Sequence, residues 1–128
     1  MYLRFVVAAP RARLAFGLFR SEYHPCDDPN LPEWLRVQIE EHYAWFNENL
    51  PIPRRFTVVS RRRRIYAGIC WFRPEAREHI VRARELARLI AEAGRPTATL
   101  KARFPGQVLY RDDFQIVAKP EACTPLMA

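Results

Sequence analysis

A run of eight apolar residues that leads straight into a long helical pattern constrains the fold of this chain most. Residues Ile65 to Phe72 are apolar on both alternating sets, as expected of a strand that is covered on both faces. Arg73 and Pro74 follow, and Pro74 suits the first turn of a helix, whose leading N–H groups have no intrahelical partner. The pattern predicts a central strand followed by a helix from Pro74 to Gly94.

This second helix has one apolar stripe. Its members recur at the spacing i, i+3, i+4, i+7 until Gly94 supplies a stop. The stripe consists of Ala76, His79, Ile80, Ala83, Leu86, Ala87, Ile90 and Ala93. We expect these side chains to pack on the sheet.

An earlier amphipathic segment predicts a first helix from Leu31 to Asn49. Asn30 and Glu33 have the spacing of a capping box, and the prolines that begin at Pro51 end the pattern. The predicted buried stripe consists of Leu35, Ile39, His42, Tyr43, Phe46 and Leu50.

The other segments have the composition or alternation of β-strands. Tyr2 to Ala8 is rich in β-branched and aromatic residues, and Thr97 to Phe104 alternates, with Ala98, Leu100, Ala102 and Phe104 predicted on one face. Further strands are predicted at Gln107–Arg111 and Phe114–Lys119, with a short edge strand at Phe56–Ser60. Turn residues at Pro105-Gly106 and Asp112-Asp113 favour an antiparallel meander of the last three strands. Leu14 to Phe19 fits a helical turn and an extended arm equally.

The resulting order, β-α-β-α-β-β-β, predicts an α+β fold with two layers. Two helices would pack on one face of a mixed five-stranded sheet that ends in the meander. We expect a single domain over residues 1–120 and a C-terminal tail over residues 121–128. Because Ile65 to Phe72 is apolar on both sides, a loop, the tail or a second subunit is expected to cover the other face.

The charge distribution favours a polyanionic partner such as nucleic acid. The chain has 21 basic and 14 acidic residues, a net charge of +7, and a segment from Pro51 to Arg73 with seven arginines and no acid. The predicted binding residues are Arg54, Arg55, Arg61, Arg62, Arg63, Arg64 and Arg73. Two other readings stay open, a solvated or partner-facing loop and an arginine bias typical of a GC-rich genome.

A pair of tryptophans suggests a different function. Trp34 and Trp45 are eleven residues apart, or about three helical turns, so both lie on one flank of the first helix. Such a pair marks either the rim of the core or an interface with another protein or a second copy. The alternative function is therefore an interaction module or homodimer without catalytic activity.

A third hypothesis is an enzyme that uses Cys70 as its nucleophile. Cys70 lies near the end of a strand that feeds a helix, where a thiolate can be stabilised. The loop departs from the C-x5-R pattern of cysteine phosphatases, because Ala76 occupies the arginine position and Arg77 comes one residue later. A buried cysteine and a core histidine at His79 explain the same residues, and no catalytic residue is predicted.

No cofactor, metal site or membrane anchor is predicted. His24, Cys26, Asp27 and Asp28 are metal-ligand types, but their spacing matches no established pattern, and the acids suit a helix cap. The three cysteines are far apart and without a C-x-x-C pair, which favours a reducing cytosol. No stretch approaches the ~20 apolar residues that span a bilayer.

Several short segments are similar to small bacterial proteins that belong to no named family. The segments are Ile69-Cys70-Trp71-Phe72, Glu78-His79-Ile80, Pro105-Gly106, Tyr110-Arg111-Asp112 and Gln115-Ile116-Val117-Ala118. The resemblance extends over residues 65 to 120. The resemblance implies a bacterial cytosolic protein and transfers no site or activity.

Overall fold

Two helices pack against an antiparallel sheet in the computed structural model of the protein, which describes residues 1–7, 16–19, 25–51, 57–59, 64–66, 68–121 and 124–125. The helices are α1 (Glu33–Asn49) and α2 (Arg77–Glu92). The strands are β1 (Tyr2–Val7), β2 (Phe16–Gly17), β3 (Thr57–Val59), β4 (Arg64–Tyr66), β5 (Ile69–Phe72), β6 (Thr97–Ala102), β7 (Gln107–Arg111) and β8 (Gln115–Lys119). The predicted α+β class is confirmed.

The main sheet has the strand order β6, β1, β5, β8, β7. One edge of β1 pairs with β6 along its whole length, and the other edge is shared between β5 and the two-residue β2. The registers are Tyr2↔Ala102 to Val7↔Thr97 for β6, Leu3↔Phe72 for β5, and Val6↔Gly17 and Val7↔Phe16 for β2. Within the apolar segment from Leu14 to Phe19, Phe16 and Gly17 are extended, Leu18 and Phe19 form a turn, and Leu14 and Ala15 lie outside the described residues.

The strand pairing differs from the prediction in two respects. Every pairing among the described strands is antiparallel, so the sheet is not mixed. The meander is confined to β7 and β8, because β6 lies at the opposite edge of the sheet and pairs with β1. β6 pairs with β1 over six residues. The closeness of β6 and β7 in the sequence does not by itself make them neighbours in the sheet.

The apolar run Ile65 to Phe72 is not one strand. Its first part belongs to β4, which pairs with β3 in a separate two-stranded sheet, and its second part is β5 in the main sheet. β5 is the central strand of the order above, so that part of the prediction is confirmed. Gly68 stands just before β5, where a Cβ atom would overlap Cγ1 of Val117.

Both helices are shorter at their N-termini than predicted. Pro74 lies in a turn closed by a 3.0 Å hydrogen bond from the Ala76 N–H to the Arg73 carbonyl, and α2 begins only at Arg77. Proline suits the second position of such a turn as well as the start of a helix, which explains the error. The capping box at Asn30 is absent, because α1 has no side-chain cap and the Asn30 N–H donates to the Asp28 carboxylate at 2.9 Å.

The core between helices and sheet matches most of the α2 stripe and half of the α1 stripe: His42, Tyr43, Leu50 and Ala93 are only partly buried, and Leu89 is buried although it was not predicted. In α1 the residues Leu35, Ile39 and Phe46 are buried, and in α2 the buried residues are His79, Ile80, Ala83, Leu86, Ala87, Leu89 and Ile90. They pack against Phe5, Val7 and Phe72 on one face of the sheet, which we call the helix face. Burial of this apolar area is the main source of stability for such a fold.

The opposite face of the sheet is apolar as well, and we call it the second face. Its buried residues are Val6, Trp71, Leu100, Ala102, Ile116 and Ala118, with Tyr2, Ile69 and Ala98 partly buried beside them. Ala98, Leu100 and Ala102 share a face of β6 as predicted, whereas Phe104 is 75% exposed and lies beyond the strand. The double-sided apolar character of β5 thus reflects two separate cores.

Candidate nucleic-acid interface

A hairpin separate from the main sheet carries the arginine run. β3 and β4 pair antiparallel, with Val59 opposite Arg64 and Thr57 opposite Tyr66. Arg64 is the first residue of β4. Arg61 to Arg63 precede it in the sequence and lie outside the described residues.

The segment that contains this hairpin leaves and rejoins the core at neighbouring points. The side-chain amide of Gln115 donates to the Pro51 carbonyl at 2.6 Å, and Gly68 packs against Val117. Gln115 and Val117 are two residues apart on β8, or about 7 Å along the strand. Pro51 and Gly68, which flank residues 52–67 in the sequence, thus lie over the same part of β8, and we call residues 52–67 the arm.

The base of the arm is also tied to α2. His79 is buried, and its Nε2 lies 2.9 Å from the carbonyl oxygen of Asn49, the last residue of α1. The imidazole stacks on Phe114 with a centroid separation of 4.2 Å and meets Trp45 edge-on at 4.8 Å. These contacts make His79 a structural residue that fixes the end of α1.

The predicted binding residues are not all in one environment. Arg54, Arg55, Arg61, Arg62 and Arg63 lie outside the described residues, and Arg64 is placed by the backbone pairing of β4.

Arg73 is the predicted binding residue that the structure places in full, and it serves the fold. Its Nη1 donates to the Asp112 carbonyl at 2.9 Å, its backbone N–H donates to the Phe114 carbonyl at 2.9 Å, and its Nε lies 3.6 Å from the Glu75 carboxylate. Arg73 therefore joins the end of β5 to the turn between β7 and β8. We no longer count it among the groups offered to a ligand.

The basic residues of α2 are partly neutralised by acids on the same helix. Arg88 binds Glu85 at 2.6 Å and Glu92 at 3.2 Å, and Arg82 lies 3.9 Å from Glu78. The hydrogen bond from Arg88 lowers the pKa of Glu85, because it stabilises the charged carboxylate. Arg77 and Arg84 are exposed and make no ion pair with any described residue, so they contribute positive charge to the surface.

Cys70 does not have the surroundings of a nucleophile. The residue is exposed overall, but atoms packed around its Sγ desolvate the thiol and raise its pKa, against a lowering influence from Arg4. A raised pKa keeps the thiol protonated at neutral pH. Among the described residues Cys70 has no hydrogen bond to His79, whose Nε2 is engaged by Asn49.

The loop at Cys26 to Asp28, which contains residue types that can bind a metal, is hydrogen-bonded to the first turn of α1. Arg36 donates to the carbonyl oxygens of Cys26 and Asp28, the latter at 3.0 Å. His24 lies outside the described residues. Within the described part of the chain no three His, Cys, Asp or Glu side chains are grouped as a metal would require.

The two tryptophans of α1 have different environments. Trp45 contacts Phe46 and His79, and the guanidinium carbon of Arg82 lies 4.5 Å from the centre of its ring. Trp34 is 52% exposed, and Val37 on the next turn is 42% exposed. Only Trp34 of the pair therefore belongs to an open apolar surface.

A further set of polar side chains, on the second face, was absent from the predicted sites. It comprises Tyr2, Arg4, Trp71 and Arg111. Tyr2 and Arg111 are 109 residues apart in the chain, so no local pattern relates them. The sequence signal that does exist is Arg4, a charge inside an otherwise apolar strand.

None of the helices in the described ranges is long and apolar enough to cross a membrane. Comparisons of the chain with protein-family models, with curated proteins and with solved structures give no significant match.

Proposed function

We propose that the protein binds nucleic acid without sequence specificity through the arm. The observation that supports the proposal is the antiparallel β3–β4 ribbon, because the arginine run lies between these two strands in the sequence and its last member, Arg64, opens β4. A two-stranded ribbon fits the major groove of duplex DNA, about 12 Å wide, and arginines near its end can reach phosphates on either side. The arm departs from a fixed base at Pro51 and Gly68, which gives this element a defined origin.

The charge balance supports the same surface. Once Arg73 is assigned to the fold, the arm retains six arginines and no acid. If all six contact phosphates of duplex DNA, the logarithm of the affinity falls with the logarithm of salt concentration with a slope of about −5. The affinity then drops roughly a thousandfold between about 50 and 200 mM salt. We place this activity in the cytosol, where widely spaced cysteines stay reduced.

The test is fluorescence anisotropy of labelled single-stranded DNA, duplex DNA and RNA, titrated with protein at both salt concentrations. A variant with Ser at Arg61, Arg62, Arg63 and Arg64 should bind all three more weakly and show a slope reduced by about 3 to 4. The matched control replaces four exposed basic residues elsewhere with Ser: Arg77, Arg84, Lys101 and Arg103. It has the same net charge as the arm variant.

The control separates a site from a general charge effect. If the arm provides the site, the control variant keeps most of the wild-type affinity and slope. Equal losses in the two variants would reduce the effect to the net charge of +7. Absence of binding by the wild-type protein at the lower salt concentration would reject the proposal outright.

A second function is favoured by the exposed apolar pair on α1. Trp34 and Val37 form a small hydrophobic surface of the kind found at protein interfaces. In this alternative the protein is an interaction module or a homodimer, and Trp34→Ala shifts a dimer to monomer in light scattering. A monomeric mass at high protein concentration would exclude the homodimer.

A further inference from the structure

Strand pairing places three donor-bearing side chains in one row across the second face. Leu100 of β6 lies opposite Arg4 of β1, and Trp71 of β5 lies opposite Ile116 of β8, which lies opposite Arg111 of β7. The pair Leu3↔Phe72 sets Arg4 beside Trp71. The row therefore reads Leu100, Arg4, Trp71, Ile116, Arg111 from one edge of the sheet to the other.

A contact between Tyr2 and Arg111 crosses this row. Nη2 of Arg111 donates to the Tyr2 hydroxyl at 3.4 Å. Their strands, β1 and β7, are three strand spacings apart, which is about 14 Å. This contact therefore joins side chains from strands on either side of β5 and β8, next to the row that contains Trp71 and Ile116.

The indole N–H of Trp71 is buried without an acceptor. Trp71 is 1% exposed, and its Nε1 has no hydrogen-bond partner among the described residues. A buried N–H that lacks an acceptor destabilises a fold, so such a group usually meets a polar atom supplied by water or by a ligand. The missing partner must offer a lone pair, because an indole nitrogen is a donor only.

The neighbouring groups restrict what that partner can be. Arg111 and Arg4 bring positive charge to the row, and the Tyr2 hydroxyl can donate its proton. No carboxylate belongs to the described strand residues of this row. The nearest acid in sequence, Asp112, uses both oxygens for the turn that follows β7.

We propose that the second face holds a small oxyanion between Arg111 and the indole N–H of Trp71. An oxygen of a phosphate or carboxylate group would accept from Nε1, while the guanidinium of Arg111 would bind the same group by charge-assisted hydrogen bonds. Arg4 occupies the next position in the row, and its Nη2 would lie 3.8 Å from a Cβ atom at Gly17. The site involves none of the arm residues, so this proposal is independent of nucleic-acid binding.

The test observes the indole directly. In a ¹⁵N-labelled W34F/W45F protein Trp71 is the sole tryptophan, since the chain contains three, and gives one indole N–H signal in a ¹H–¹⁵N spectrum. Inorganic phosphate is added in one titration and acetate in another, with sodium chloride holding the ionic strength constant. Titration of the wild-type protein, with three indole signals, checks that the two substitutions did not create the response.

A saturable shift of the indole signal is expected with phosphate, with acetate, or with both, and the more effective ion identifies the group that the site takes. Arg111→Gln should weaken this binding at least tenfold. Arg84→Gln, an exposed residue of α2 with the same change of charge, should leave it unaltered. The backbone amide spectrum shows that each variant remains folded.

Three results would overturn the proposal: two concern the anion response itself, and the third concerns the arm. One is the absence of a saturable shift with either anion, which would assign the indole partner to water. The other is an equal response in Arg111→Gln and Arg84→Gln, which would reveal general screening. The variant with Ser at Arg61 to Arg64 should retain the oxyanion response, and its loss there would show that the ion binds the arm.

Discussion

Replacement of Asp112 by Ala is predicted to destabilise the protein by about 3 kcal/mol. Oδ1 of Asp112 accepts the backbone N–H groups of Phe114 at 2.8 Å and Gln115 at 2.9 Å. Oδ2 accepts from the Tyr110 hydroxyl at 2.9 Å and from the side-chain amide of Gln115 at 3.1 Å. One carboxylate therefore holds the turn between β7 and β8.

The magnitude follows from the fate of these donors. A hydrogen bond to a charged group contributes about 1.5–3 kcal/mol, and bonds that share an acceptor are not additive. Water can replace the carboxylate at Phe114 and Tyr110. Gln115 is buried, so its backbone N–H and the amide hydrogen that is not bound to Pro51 lose their acceptor. Asp112→Asn retains an oxygen for the backbone and turns an NH₂ group towards two donors, so we expect about 1–2 kcal/mol.

The contribution of Asp112 also depends on pH. Partial burial alone would raise the pKa of Asp112, but the four hydrogen bonds outweigh it and hold the pKa below the usual value of 3.8. A carboxyl whose pKa is lower in the folded state stabilises the protein above its unfolded pKa. This stabilisation is lost as the pH falls below about 4 and the folded carboxyl is protonated.

Urea unfolding followed by tryptophan fluorescence measures these differences at pH 7 and at steps down to about pH 3. Tyr110→Phe, which removes a single bond, is the control and should cost about 1 kcal/mol. The reasoning is refuted if Asp112→Ala costs less than about 0.5 kcal/mol at pH 7. It is also refuted if the difference between wild type and Asp112→Asn is as large at the lowest pH as at neutrality.

Three further predictions use the same unfolding assay or a titration. Gly106→Ala should cost at least about 2 kcal/mol, because Gly106 has φ of +120° and a Cβ there would overlap the Lys119 carbonyl oxygen. Burial raises the pKa of Tyr43 to about 12, so the contribution of Tyr43 to stability is complete below about pH 10 and is lost as the pH rises through 12. An absorbance titration should show one of the five tyrosines ionising at a higher pH than the others, and Tyr43→Phe should abolish this late ionisation. Trp45→Ala should cost about 2–3 kcal/mol and Trp34→Ala less than about 0.5, because only Trp45 is packed between the helices.

Periodicity predicted the helices well because a stripe of buried residues is a local property of the chain. The stripe of α2 from His79 to Ile90 is buried as expected. Its start was misplaced because Pro74 satisfies a β-turn and a helix N-terminus equally well, and only the contact of Arg73 with Phe114 selects the turn.

Strand partners could not be read from the sequence in the same way. Thr97 to Ala102 alternates clearly, but alternation does not say which strand lies alongside, and the chain pairs this strand with Tyr2–Val7. The run from Ile65 to Phe72 carries no signal for its division between two sheets other than Gly68, whose absent side chain allows the approach to β8.

The two candidate sites differ in how well they can be predicted from the sequence. The uncompensated arginines of the arm are visible as charge, and their relation to the β3–β4 hairpin emerged from the pairing. The oxyanion site combines residues from β1, β5 and β7, so it exists only after the sheet has assembled. A row built across strands has no counterpart in sequence spacing.

The position of β1 has a consequence for biosynthesis. Tyr2 of β1 pairs with Ala102 of β6, one hundred residues later in the chain, and β5 pairs with β8 near residue 117. A nascent chain therefore holds the apolar strand β1 without this partner, β6, until residues 97–102 have been synthesised, a period in which chaperones or aggregation can compete for it. Sheets closed by such distant segments also fold slowly, since a long loop must be ordered before the contact forms. Ribosome-bound chains that stop before residue 97 should remain sensitive to protease along β1.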